Sequence, residues 1–209
     1  TASGVAAAAE RARAAWLASG GCSRLLRCAG YSPNPLDHSL AWHLMTALQA
    51  ANVLPTPGAA ASSDAGAASS ALSHAEQAAY DAEMLGTTLE FISQLQLAGG
   101  LCEWALFVAL TLPDLPSAGG AAVRRRVVRE LLALTAPEWM GDSAREAFLT
   151  STLQLPEPLL AEARATWAQY TRDDAARCAA LLAAGTAAAA HDVFAASVAP
   201  GLFLAGAWT

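Results

Sequence analysis

Charge is the first scarcity in this chain of 209 residues. Asp, Glu, Lys and Arg together make up 14% of it, with 12 basic residues against 18 acidic. The formal net charge of -6 excludes the basic surface that non-specific binding to nucleic acid or anionic membranes requires. The one basic cluster, Arg124-Arg125-Arg126 with Arg129, is diluted by Glu130 inside an apolar helical pattern and reads as a solvated helix face. Long hydrophobic runs are missing as well. No stretch of about 18 apolar residues is free of charged or turn residues, as a membrane-spanning helix would need. The richest segment, 101–112, carries Glu103 and is too short. The chain therefore reads as soluble, with no membrane insertion.

Cysteine is sparse and unpaired in pattern: Cys22, Cys28, Cys102 and Cys178 show no CxxC spacing. Reduced structural thiols and a cytosolic or nuclear compartment are the expectation. A charged segment followed by an apolar core and a cleavage site, the mark of a secretory leader, is absent. Because the chain opens at Thr1 without methionine, a fragment or processed product is expected. Alternation of β-branched residues is also lacking, which excludes a sheet-based fold.

Reactive constellations are the last absence. There is no G-x-S-x-G, phosphate-binding loop or dinucleotide fingerprint. His38 and His43 are five apart, which is not the same-face spacing of a helical metal pair, and no acidic motif completes a site. His191-Asp192 are neighbours on different sides of a helix. Asp173-Asp174, Glu157 and Glu162 lie in first turns, where the helix dipole favours carboxylates. No catalytic, cofactor-binding or metal-ligating residue is expected, and no cofactor.

What the chain has instead is alanine. Hydrophobic residues make up 55% of it and the mean hydropathy is +0.33, but alanine dominates both figures. Alanine is the best helix former and contributes little apolar area, so the composition points to helix. The organising stretch is 99–110, a glycine pair followed at once by a helix. Leu101, Trp104, Ala105, Val108 and Leu112 fall on one face at helical spacing. A shorter echo at 182–193 aligns Gly185 with Gly100, Ala190 with Ala105 and Val193 with Val108.

Along the chain, the pattern predicts helices over 5–18 and 22–28, then a break at the Pro33 and Pro35 pair. Asp37 reads as the N-cap of a helix over 38–51, with Leu40, Leu44, Ala47 and Leu48 on one face and Trp42 and Met45 on another. Residues 55–70 lack any large apolar side chain and read as a disordered insertion. Ser73 and Glu76 have capping-box spacing at the start of a helix reaching 98, with Gly86 a kink or break. Val123, Val127, Leu131 and Leu134 outline a helix ending before Pro137. Ser143 and Glu146 form a second capping box, for a helix through Leu153. Pro156 and Pro158 start the next helix, with Leu159, Leu160, Ala163, Trp167 and Tyr170 as its buried stripe. Thr171 with Asp173-Asp174 caps another. A last helix over 187–199 ends at Pro200-Gly201, followed by an apolar tail of Leu202, Phe203, Leu204 and Trp208. The six tryptophans, at 16, 42, 104, 139, 167 and 208, read as core anchors.

The expected architecture is all-α, a solenoid of stacked antiparallel helix pairs of the fold-back coat-element type. Its organisation is N-terminal helices over 1–54, the insertion over 55–72, and a C-terminal helical segment over 73–209.

Several segments, in order, resemble a known family. They are Asn34-Pro35-Leu36-Asp37-His38-Ser39-Leu40-Ala41-Trp42-His43-Leu44, then Gly100-Leu101-Cys102-Glu103-Trp104-Ala105-Leu106-Phe107-Val108, then Val128-Arg129-Glu130-Leu131-Leu132. Glu146-Ala147-Phe148-Leu149-Thr150, Leu155-Pro156 and Glu162-Ala163-Arg164-Ala165 continue the series. Over 35–203 the chain resembles the α-helical scaffold nucleoporins of about ninety-six kilodaltons, made in many eukaryotes as the C-terminal half of a self-cleaving precursor. Cys102 and Ala187 stand where that family usually carries tryptophan, and the insertion at 55–70 is extra.

The resemblance implies a structural, non-enzymatic role in the Y-shaped outer ring of the nuclear pore complex, at the nuclear envelope. There it would support nucleocytoplasmic transport of mRNA and protein. It implies docking of the C-terminal part on the nucleoporin of about one hundred and seven kilodaltons. A coat-type β-propeller partner would be held by parts upstream of this segment. Trp167, Phe194, Phe203 and Trp208 are the candidate partner-binding anchors, because aromatics dominate interface energetics. Trp167 and Phe194 also read as intramolecular core. A vesicle-coat solenoid is the alternative within the same class. A helical-bundle enzyme or small-molecule binder is the alternative outside it, and would need convergent polar groups around a pocket.

Overall fold

The computed structural model describes residues 33–34, 36–55, 57, 74–113 and 121–206, with isolated positions at 8, 11–12, 15–16 and 19–21. The expected helices over 5–18 and 22–28 fall largely outside these residues. So do the insertion at 55–70, apart from 55 and 57, and Ser73 of the first capping box. Every described element is helical, and no strand occurs among the described residues. Two compact units are present, Thr1–Arg125 and Arg126–Thr209.

The first unit contains α1 (Ser39–Ala50), α2 (His74–Ala98), α3 (Cys102–Leu110) and the start of α4 (Ala121–Leu134). Contacts at three levels fix α1 against α2. At the start of α1, the His38 N–H donates to Gln94 Oε1 at 2.8 Å and His38 Nδ1 lies 3.0 Å from Glu90 Oε2. Midway, the Trp42 and Phe91 rings lie 5.1 Å apart. At its end, Gln49 Nε2 donates to Tyr80 Oη at 3.1 Å, and that hydroxyl donates to the Pro55 carbonyl at 3.1 Å. Partners descend from 94 through 91 to 80 as α1 ascends, so the two helices are antiparallel.

Gly86 does not break α2, which runs unbroken for 25 residues. One glycine costs a helix about 1 kcal/mol against alanine, and the packing of Tyr80, Met84, Phe91 and Ile92 on either side of it outweighs that. The turn into α3 needs its glycines. Gly99 and Gly100 both sit in the left-handed region, at φ 69° and 68°, where a side chain is strained.

In α1 only one of the two expected apolar faces is buried, and in α3 the expected buried face shifts. In α1 the buried residues are Ala41, Trp42 and Met45, while Leu40 and Ala47 are exposed. In α3 they are Cys102, Ala105, Leu106, Val108 and Ala109, with Leu112 just beyond. Leu101 and Trp104 lie outside that face, Trp104 being 61% exposed. The cause is common to both helices. Each is apolar on two sides, and a helix that is apolar all round gives periodicity no means of choosing the inward face. Asp37 sits one residue before the N-cap position of α1, its Oδ1 accepting from the Ser39 N–H at 3.2 Å and from Ser39 Oγ at 2.6 Å. Arg124 reaches back to the end of α3, donating to the Leu112 carbonyl at 3.2 Å, so one arginine of the basic cluster has a structural task.

The second unit holds the rest of α4, then α5 (Ala136–Trp139), α6 (Ser143–Ala147) with a π-helical turn over Phe148–Thr152, α7 (Glu157–Thr171) and α8 (Asp174–Ala183). A continuous helical run follows, made of α9 (Ala187–Val193), a π turn over Phe194–Val198, and α10 (Ala199–Leu204). Trp139, fully buried, closes α4: its Nε1–H donates to the Leu132 carbonyl at 3.2 Å, one of the terminal carbonyls a helix leaves without an internal partner. Arg164 of α7 lies 5.5 Å above the Trp139 ring and pairs with Glu146 at 3.2 Å and Glu157 at 2.5 Å. Arg129 of α4 pairs with Glu162 of α7 at 2.8 Å.

Local capping departs from the sequence pattern in small ways. Asp142, not Ser143, caps α6, accepting from the N–H groups of Ala144 at 3.0 Å and Arg145 at 3.2 Å. Glu146 reaches back to the Gly141 N–H at 3.3 Å. Asp173 caps α8 by accepting from Ala176 N–H at 2.9 Å, while Thr171 ends α7 by bonding back to Trp167. Pro200 does not stop the last helix. It occupies the start of α10 straight after the π turn, where a missing N–H breaks no bond within the new segment, and helix continues through Leu204.

Candidate docking surfaces

The four aromatic anchors expected from sequence are not gathered into one patch. Trp167 lies in α7, half-buried, its ring stacked on Tyr170 at 5.4 Å and 30°. Tyr170 is 78% exposed, not part of the buried stripe, so this aromatic pair presents a face to solvent at the end of α7. Phe194 opens the second π turn and is 39% exposed; Phe203, in α10, is 72% exposed. Trp208 lies outside the described residues.

Phe194 and Phe203 stand on the run Ala187–Leu204, of which only 11% is buried. Leu202 and Leu204 are exposed beside Phe203, and neither was expected as an anchor. Inward, the run is held at Ala190, buried against α8, whose carbonyl accepts from Cys178 Sγ at 3.5 Å. The run is long and apolar enough, by length and composition alone, to cross a membrane. Asp192 and the Pro200-Gly201 pair within it are the reason a reading along the sequence passes over it. A helix this apolar and this exposed is a candidate interaction surface.

A second exposed apolar area occupies the first unit. Trp104 and Phe107 sit edge to face at 6.1 Å on the outer side of α3, with Leu101 beside them and Leu97 at the end of α2. Of the tryptophans expected in the core, Trp42 and Trp139 are buried, whereas Trp104 is at the surface. The clue was present in the sequence, since α3 carries large apolar residues all round.

His38 faces Glu90, and His43 Nδ1 lies 2.6 Å from the Ser39 carbonyl within its own helix. His191 and Asp192 are exposed. Among the described residues no group of three or more His, Cys, Asp or Glu side chains could hold a metal ion. Cys102 is buried and Cys178 half-buried.

The family model of nuclear protein 96 (Nup96) matches residues 17–167. The chain belongs to the Nup96 family. The match takes in α1 through α6 and α7 as far as Trp167, and covers well over half of the chain. The family is structural, and its members are nucleoporins, components of the nuclear pore complex at the nuclear envelope. The matched region includes the glycine-hinged segment around 99–110 and Arg164 with its partners. The exposed run Ala187–Leu204, with Phe194 and Phe203, lies beyond the match.

Proposed function

We propose that this chain is a scaffold segment of the outer ring of the nuclear pore, in the Y-shaped subcomplex. It works by protein docking and so supports passage of mRNA and protein. In this reading it derives from the C-terminal half of a self-cleaving precursor. Its C-terminal part docks on the nucleoporin of about one hundred and seven kilodaltons, and a coat-type β-propeller protein is held by parts upstream.

The observation that carries the docking reading is the Ala187–Leu204 run. It is helical, nearly charge-free and 11% buried. Covering one side chain such as Phe203 stabilises a complex by about 1.5–3 kcal/mol, and Leu202 and Leu204 stand beside it to widen the contact. A predominantly apolar helical face of this kind fits a complementary apolar face on another helical protein. The membrane-like composition of the run is the same property seen from another side.

Recovery of the tagged chain from nuclear envelopes, with partners identified by mass, tests the assignment. Outer-ring nucleoporins in stoichiometric amounts support it. Recovery with vesicle-coat subunits in their place assigns the chain to a coat instead. Extraction only with detergent-solubilised lipid, without nucleoporins, removes the protein-docking reading of the run.

A further inference from the structure

We draw no further inference here: the strongest candidate, the exposed apolar patch of Leu101, Trp104 and Phe107 on the outer face of α3 with Leu97 at the end of α2, carries nothing because no feature of the structure shows what covers it.

Discussion

Gln94 of α2 holds the start of α1 through the backbone of His38, whose N–H donates to Gln94 Oε1 at 2.8 Å. The same side chain donates through Nε2 to Asp37 Oδ1 at 3.2 Å. One amide thus satisfies a helix-start N–H and orients the carboxylate that receives Ser39. Replacing it by leucine keeps the volume and removes both bonds. Gln94→Leu is expected to lower unfolding stability by about 1–3 kcal/mol, the cost of leaving partly buried polar groups without that partner. Urea denaturation followed by circular dichroism measures it, and an unchanged midpoint would remove this contact from the account of how α1 is fixed.

Two glycines give opposite expectations. Gly86 lies inside α2 with nothing within 4 Å of the position a Cβ would take. Gly86→Ala should therefore stabilise by roughly 0.5–1 kcal/mol. Gly100 has equal space but a φ of +68°. Gly100→Ala is expected to destabilise by about 1–2 kcal/mol, because the left-handed region costs an L-residue about that much. Thermal unfolding of the two variants side by side reads the contrast. A matching sign for both would show that backbone conformation is not what the hinge requires.

Trp139 contributes volume and one hydrogen bond, and the two can be separated. Trp139→Phe removes the Nε1–H that serves the Leu132 carbonyl and should cost about 1–3 kcal/mol. Trp139→Ala also opens a cavity at a fully buried position and should cost about 3–5 kcal/mol. Equal losses in the two variants would mean that packing around the ring contributes little.

Arg164 joins the same region by charge. Its partners Glu146 and Glu157 are partly exposed, so each pair contributes only about 0.2–1 kcal/mol. Its position over Trp139 adds about 0.5–1 kcal/mol. Arg164→Met, which keeps the stem, is expected to cost about 1–2 kcal/mol in low salt and less at high salt, since screening weakens the ion pairs in the parent. A loss independent of salt would assign the effect to packing alone.

The parts of this fold that were legible in sequence are those with a local chemical cause. Gly99 and Gly100 announced a turn because left-handed backbone selects glycine, and Pro156 with Pro158 announced a helix start. The first turn of α6 was placed correctly, but its cap is Asp142, one residue earlier than the box spacing suggests. The π turns at Phe148 and Phe194 were not legible, because no residue pattern separates a widened turn from an ordinary one. The last helix, expected to end at Ala199 before Pro200-Gly201, runs on past the second of them to Leu204.

Side-chain exposure was legible in part for the same reasons. Phe194 and Phe203 are exposed, and Tyr170, assigned to the buried stripe, is at the surface. Periodicity orders residues around a helix without saying which neighbour covers each side, and α3 and α7 both carry aromatics outside their buried stripe. Exposure of Leu202 and Leu204 depended on the helix passing Pro200, so it could not be read before that was seen.

The claim that most depends on all of this is docking through the Ala187–Leu204 run. Titration of the purified chain against the N-terminal region of the nucleoporin of about one hundred and seven kilodaltons, followed by calorimetry, measures it directly. A parallel titration uses Phe203→Asp, whose exposed position leaves the helical circular dichroism spectrum unchanged. The account predicts saturable binding by the parent chain, weakened at least about tenfold in the variant, since about 1.4 kcal/mol corresponds to that factor. A well-folded parent chain that does not bind, or a variant that binds equally well, would contradict it.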